Sequence, residues 1–170
     1  MSEGSQGNTR MDDALFEDLY TRYATDVLRV SYFYLGDRQK AEDVTQDVFM
    51  KLLTTNFVQI EGKEKSWLLK VALNRCRDLW RAGWVRRVVL GAPQLEFIPD
   101  EDRVEERIER QDLLRAVHAL PAQFREIILL HYYQGIEIRE ISEMLSLPEG
   151  TVCSRLSRAR KKLEEMLREE

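Results

Sequence analysis

A chain of 170 residues can build one ordinary domain or two small ones. Charged residues make up 33% of it against 8 Gly and 4 Pro, no apolar run approaches the roughly 20 residues of a membrane span, and nothing reads as a signal peptide. Two distant cysteines, Cys76 and Cys153, exclude a disulfide scaffold and fit a reducing cytosol; with His118 and His131 as the only histidines, no metal-ligand cluster or cofactor is expected.

Residues 1–10 are small and polar, and 1–11 is expected to be a disordered tail. Phe16, Leu19, Tyr20, Tyr23, Val27, Val30 and Tyr34 then recur at helical spacing, and Gly36 with Asp37 should end that helix. A second helix over 38–53 should bury Val44, Val48 and Leu52. A third, over 66–81, should bury Leu69, Ala72, Leu73 and either Cys76 or Leu79. The stretch 85–103 holds Gly91, Pro93 and Pro99 without a sustained period and reads as a linker, whose Val88, Val89, Leu90, Leu95 and Phe97 are apolar enough to dock. Helices over 104–120 and 123–133 follow, the first stopped by Pro121 and the second by Gln134 and Gly135. No segment alternates as a strand does, so the chain is expected to be all-α: two small helical domains, 12–84 and 104–170, joined by the linker.

Residues 137–163 carry the most information. Ile138, Ile141 and Leu145 form one apolar stripe; Ser146, Leu147 and Pro148 interrupt it; a second helix then buries Val152, Leu156, Ala159 and Leu163. Thr151, Ser154, Arg155, Ser157, Arg158, Lys161 and Lys162 are left outward or sideways. Two helices about a tight turn make a helix-turn-helix, and small polar residues interleaved with Arg suit the edges of bases in a major groove. The plainer alternative is a helical hairpin with a solvated basic face.

Mapping charge along the chain reconciles the net −4 with DNA binding. Eight basic residues fall between 63 and 87 (Lys63, Lys65, Lys70, Arg75, Arg77, Arg81, Arg86, Arg87), a second basic block spans 155–162, and 96–112 between them is strongly acidic. Two basic helices held apart by an acidic joint suggest two separate contacts with a polyanion.

The segments YLGDRQKAEDVTQDVFMKLL at 34–53, KSWLLKVALNRCRDLWR at 65–81 and LPAQFREIILLHYYQGIEIREISEMLSLPEGTVCSRLSRARKKL at 120–163 resemble the bacterial sigma-70 family, in its short two-domain extracytoplasmic-function (ECF) class. The resemblance spans nearly everything from 12 to about 167, with both domains in the family's order. It implies a cytoplasmic, non-enzymatic protein that binds core RNA polymerase and promoter DNA, with no small-molecule substrate, restrained by a cognate anti-sigma factor that is often membrane-anchored. It implies that Asp43, Gln46 and Asp47, which share one helix face, dock on the polymerase clamp. The loop 56–66, with Lys63, Lys65 and Asn74, would hold a base flipped from the minus-ten strand, while Lys70, Arg75, Arg77 and Arg81 contact phosphates. Trp67 is expected to pack rather than stack on DNA. Thr151, Cys153, Ser154, Arg155, Ser157, Arg158 and Lys161 would face the minus-thirty-five element, where Cys153 departs from the family's usual Lys or Arg. A stand-alone helix-turn-helix regulator is the competing reading; it would bind duplex DNA by itself, without polymerase.

Overall fold

The computed structural model describes residues 11–90 and 104–168. Among these every regular element is helical: α1 (Asp13–Leu35), α2 (Arg38–Leu53), α3 (Glu64–Leu90), α4 (Val104–Ala119), α5 (Ala122–Ile128), α6 (Ile138–Leu145) and α7 (Glu149–Arg168). A 3-10 turn at Phe57–Gln59 precedes α3, and a wide π turn at Leu129–Tyr133 extends α5.

Helix ends follow local chemistry. Asp12 caps α1 by accepting from the Leu15 amide at 2.7 Å, and Gly36 closes it at φ 69°, a left-handed conformation in which glycine has no Cβ penalty. Asp37 then caps α2 through the Lys40 amide. The two helices therefore meet through a two-residue corner and pack as an antiparallel pair. Val44, Val48 and Leu52 are fully buried, as the period predicts. So is Cys76, which settles the choice with Leu79. Tyr20 is the exception on α1: it is 49% exposed, although its spacing fits the apolar stripe.

Helix α3 starts two residues earlier than its sequence period suggests and continues to Leu90, so residues 85–90 of the expected linker are helical. Of the expected tail 1–11, Met11 is instead buried, 7% exposed in the core cluster; residues 1–10 and the rest of the joint, 91–103 with Leu95 and Phe97, lie outside the described residues, as do the side chains of 84–110, including Val88, Val89 and Leu90.

The two halves do not stay apart. One apolar cluster runs from Val27, Leu52 and Leu73 through Val117 and Ile127 to Ile141 and Val152. Where the halves meet sits Arg125 of α5, only 2% exposed. Its guanidinium donates to the carbonyls of Tyr34 (3.0 Å), Val117 (3.3 Å), His118 (2.7 Å) and Leu120 (2.8 Å). It also lies over the rings of Trp80 and Tyr34, at 4.0 and 4.9 Å from their centroids. Three of those carbonyls belong to the C-terminal end of α4 and the residue after it, where helical donors run out, although Val117 also accepts from the Leu120 amide at 3.1 Å. A buried cation is tolerated here because carbonyl dipoles and aromatic faces replace its water.

Candidate nucleic-acid interface

On α2, Asp43, Gln46 and Asp47 are exposed together, while Val44 and Val48 point into the core. The periodicity that buries one set dictates the exposure of the other. Beside them Met50 and Leu53 are 64% and 46% exposed, and with Phe16, Tyr20 and Leu28 they line an open groove between α1 and α2 of about 730 Å3. Sequence spacing does not reveal this apolar part of the face, because Tyr20 recurs with the buried residues of α1. Apolar surface ringed by carboxylates and an amide suits a protein partner better than DNA.

An adjoining face of the same bundle carries the first basic set. Asn56 accepts from the Val58 amide to start the 3-10 turn, Ile60 is 3% exposed and anchors it, and Gly62 at φ 81° lets the chain turn into α3. Lys63, Lys70, Asn74, Arg75 and Arg81 are exposed, Lys65 is half-buried, and Trp67 packs on the core as expected. Arg77 is a correction. It was expected on the open face, yet it is half-buried and donates to both carboxylate oxygens of Glu126 on α5, the Nη2–Oε2 contact being 2.9 Å. Those bonds hold the guanidinium's pKa above its ordinary value. Its Nη1 also donates to Oδ1 of Asn74 at 3.1 Å.

Other members of this set are engaged as well. Arg75 donates to Asp47 at 2.9 Å, which links the basic face to the acidic one. Lys65 Nζ donates to the Gln134 carbonyl at 3.3 Å, Ser66 donates to Glu140, and Lys63 stands 3.7 Å from Glu143. No sequence pattern signals these cross-contacts. The charged pair Arg125–Glu126 inside the apolar run FREIILL is the one hint: a charge in a buried stripe must find a partner.

The second basic set sits on α7. Ser146 closes α6 in the left-handed region at φ 53°, the Leu147 amide returns to the Ser142 carbonyl at 3.0 Å, and Pro148 precedes the first turn of α7. This turn packs α7 against α6. Val152, Leu156 and Ala159 are buried and Leu163 is half-buried, so Cys153, Ser154, Ser157, Arg158 and Lys161 are exposed on the opposite side; Thr151 and Arg155 are half-buried at its margin.

The two thiols differ sharply. Cys153 is exposed, whereas Cys76 is fully buried and burial pushes its thiol up to about 12. A maleimide should therefore label Cys153 rapidly in the native protein and reach Cys76 only after unfolding; rapid double labelling, read by mass spectrometry, would contradict the packing of α3. Because the native thiol ionises above the ordinary thiol pKa, native stability should fall as pH rises past that ordinary value toward 12, where the unfolded chain alone is ionised.

Comparison with known proteins finds two matches to family models: "Sigma-70 region 2" over residues 19–86 and "Sigma-70, region 4" over residues 110–163. The chain is 30% identical to the ECF RNA polymerase sigma factor SigL of Mycobacterium tuberculosis, over 96% of this chain and 94% of that protein. It is 29% identical to the ECF RNA polymerase sigma factor SigE of Mycolicibacterium smegmatis, over 89% of this chain but 61% of that longer protein. Its fold resembles that of the sigma factor RpoE solved with the anti-sigma factor NepR from Bartonella quintana, with a TM-score of 0.69 at 24% identity over 90% and 96% of the two chains.

Proposed function

This chain belongs to the sigma-70 family of RNA polymerase sigma factors, in its extracytoplasmic-function class, and we propose how its faces divide that work. The α1–α2 face, with Asp43, Gln46 and Asp47 beside Tyr20, Met50 and Leu53, docks on core polymerase in the cytoplasm. Carboxylates there steer the encounter with Arg and Lys on the partner, and the apolar groove supplies the buried contact that holds it.

The second element of the proposal is promoter reading. Lys63, Lys65, Lys70, Arg75 and Arg81 contact phosphates of the minus-ten strand, which positions the protein without specifying sequence; Arg77 is held by Glu126 instead. Asn74 offers both a donor and an acceptor to a base extruded into the 56–66 loop. On α7, Cys153, Ser154, Ser157, Arg158 and Lys161 enter the major groove of the minus-thirty-five element, with Thr151 and Arg155 at the margin. The chemistry of phosphodiester formation belongs to the polymerase. An anti-sigma factor that covers the polymerase-docking face restrains the chain, by analogy with the RpoE–NepR pair.

The observation that carries this reading is the separation of chemistries: an acidic, partly apolar face and two basic faces, in the order of the two matched regions. Run-off transcription with core polymerase on a library of random promoters tests it. Promoter-specific transcripts that need both the chain and core polymerase are expected; tight binding to a palindromic duplex without polymerase, and no transcripts with it, would favour a stand-alone regulator.

Cys153 gives a sharper expectation. It is exposed in the middle of the reading face, where a short uncharged side chain leaves one promoter position weakly specified. Cys153→Arg should add a bidentate guanine contact worth roughly 1–3 kcal/mol of discrimination. Its holoenzyme should then prefer guanine at one minus-thirty-five position and respond more steeply to salt. An unchanged preference across a randomised minus-thirty-five element would mean that this residue does not reach the bases.

A further inference from the structure

Asn74 carries both a donor and an acceptor, but in the folded chain its two ends are not equivalent. Its Oδ1 accepts from Nη1 of Arg77 at 3.1 Å, one helical turn along α3. A guanidinium has donors only, so the amide must turn its oxygen toward Arg77 and its amino group away. Glu126 holds Nε and Nη2 of the same guanidinium, and Nη1 is the edge left for Asn74. The planar fork cannot swing round without breaking its bonds to a carboxylate side chain that is only 8% exposed.

The amino group is the free end. Asn74 is exposed, and among the described residues its Nδ2 has no hydrogen-bond partner. Asp78, four residues on along α3, makes no bond to this amide. The second lone pair of Oδ1 lies beside a cation, so an N–H brought there meets charge of its own sign. Between bases, the group on pyrimidine C4 or purine C6 is the one that changes hydrogen-bonding sense: a keto oxygen on thymine and guanine, an amino group on cytosine and adenine. A donor set against that group bonds to the first pair. Against the second it leaves two donors face to face and neither satisfied.

We infer that Arg77 is a positioning residue: it fixes the Asn74 amide with its amino group outward, so that the minus-ten position read by Asn74 takes a keto base, thymine or guanine, over an amino base, cytosine or adenine. This role rests on the promoter reading given above for Asn74. Arg77 then acts on specificity through its neighbour, without touching DNA itself. The two residues lie within one turn of one helix, so the pair travels with α3 as a unit. A single hydrogen bond made to one base class and lost with the other discriminates by roughly 3- to 10-fold.

The test is run-off transcription by holoenzymes on a promoter library randomised across the minus-ten element, read by sequencing, with circular dichroism to show that each variant is folded. N74A locates the position, by changing base preference there and nowhere else. Wild type should favour keto over amino bases at that position by at least about threefold. R77A frees the amide to turn over, and the ratio there should fall to about one while other positions keep their preferences. Loss of a merely structural residue would instead lower transcription from every sequence alike. N74D presents acceptors only and should reverse the ratio in favour of amino bases. R77E/E126R exchanges the ion pair, so that the new carboxylate takes Nδ2 and turns Oδ1 outward; the ratio should reverse here too. A folded R77A that keeps the wild-type ratio, an amino preference in wild type, or an unreversed ratio in N74D overturns the role of Arg77 even where wild-type holoenzyme transcribes normally. N74D alters an exposed side chain and decides the matter where the Arg77 variants do not fold. An N74A profile identical to wild type at every position would remove Asn74 from base reading, and the role of Arg77 with it. Failure of wild type to transcribe with core polymerase at any promoter would instead remove the sigma-factor reading itself.

Discussion

Asp43→Arg combined with Met50→Asp should abolish holoenzyme formation while leaving the helical content of the chain unchanged. Both side chains are exposed on one face of α2, seven residues apart, so neither substitution opens a cavity or strands a buried group. The first reverses the charge that steers the encounter; the second puts a carboxylate into the apolar groove beside Tyr20 and Leu53. Interface residues of this kind cost about 2 kcal/mol or more each, so the pair should weaken core binding by at least about 100-fold. Asp47 is the less informative target, because its carboxylate also holds Arg75 and its loss would disturb the basic face. Co-purification with core polymerase and circular dichroism provide the check. A folded double variant that still binds core enzyme undiminished would move the docking site off this face.

Arg125→Ala should be the most damaging single truncation for stability. It removes a side chain that is 2% exposed and leaves the carbonyls of Tyr34, Val117, His118 and Leu120 without these donors. Leaving a buried polar group unpaired costs about 1–3 kcal/mol, so several together should cost at least about 3 kcal/mol. That is a large part of the roughly 5–15 kcal/mol of a whole protein. At this chain length each kcal/mol lowers the thermal midpoint by about 2–4 °C, which gives a fall of about 6–12 °C. Arg125→Lys should recover part of the loss, since a cation remains but the planar fork over Trp80 does not. A midpoint for Arg125→Ala within a degree of wild type would show that the cage of carbonyls does not hold the halves together.

Helix existence and type were readable because local rules agree with the global fold. The 3.6-residue stripe on α2 and α7, Gly36 and Gly135 at positive φ, and Pro148 ahead of α7 each act over one turn of chain. The turn of the helix-turn-helix was legible for the same reason, as was the exposed side of α7: burying Val152, Leu156 and Ala159 leaves the opposite side no choice. Cys76 continues the stripe of Leu69, Ala72 and Leu73, whereas Leu79 lies at its margin and is only partly buried. Tyr20 is exposed for a related reason: an apolar side chain at the margin of a stripe is buried only if a neighbour covers it.

By itself the sequence determined an all-α chain, its two-part order, the acidic face of α2, the basic face of α3 and the exposed basic face of α7. These depend on residues one to seven positions apart, where helical geometry fixes direction. Tertiary structure alone decided that Arg77 meets Glu126, that Ser66 meets Glu140, and that Arg125 is buried between halves of the chain. Such contacts join residues 49 to 91 positions apart, and no periodicity carries information over that distance. The desolvation cost of a charge does: Arg125 and Glu126 lie in an apolar run that must be buried, so each had to find oxygen or nitrogen partners wherever the packing of the two halves supplied them.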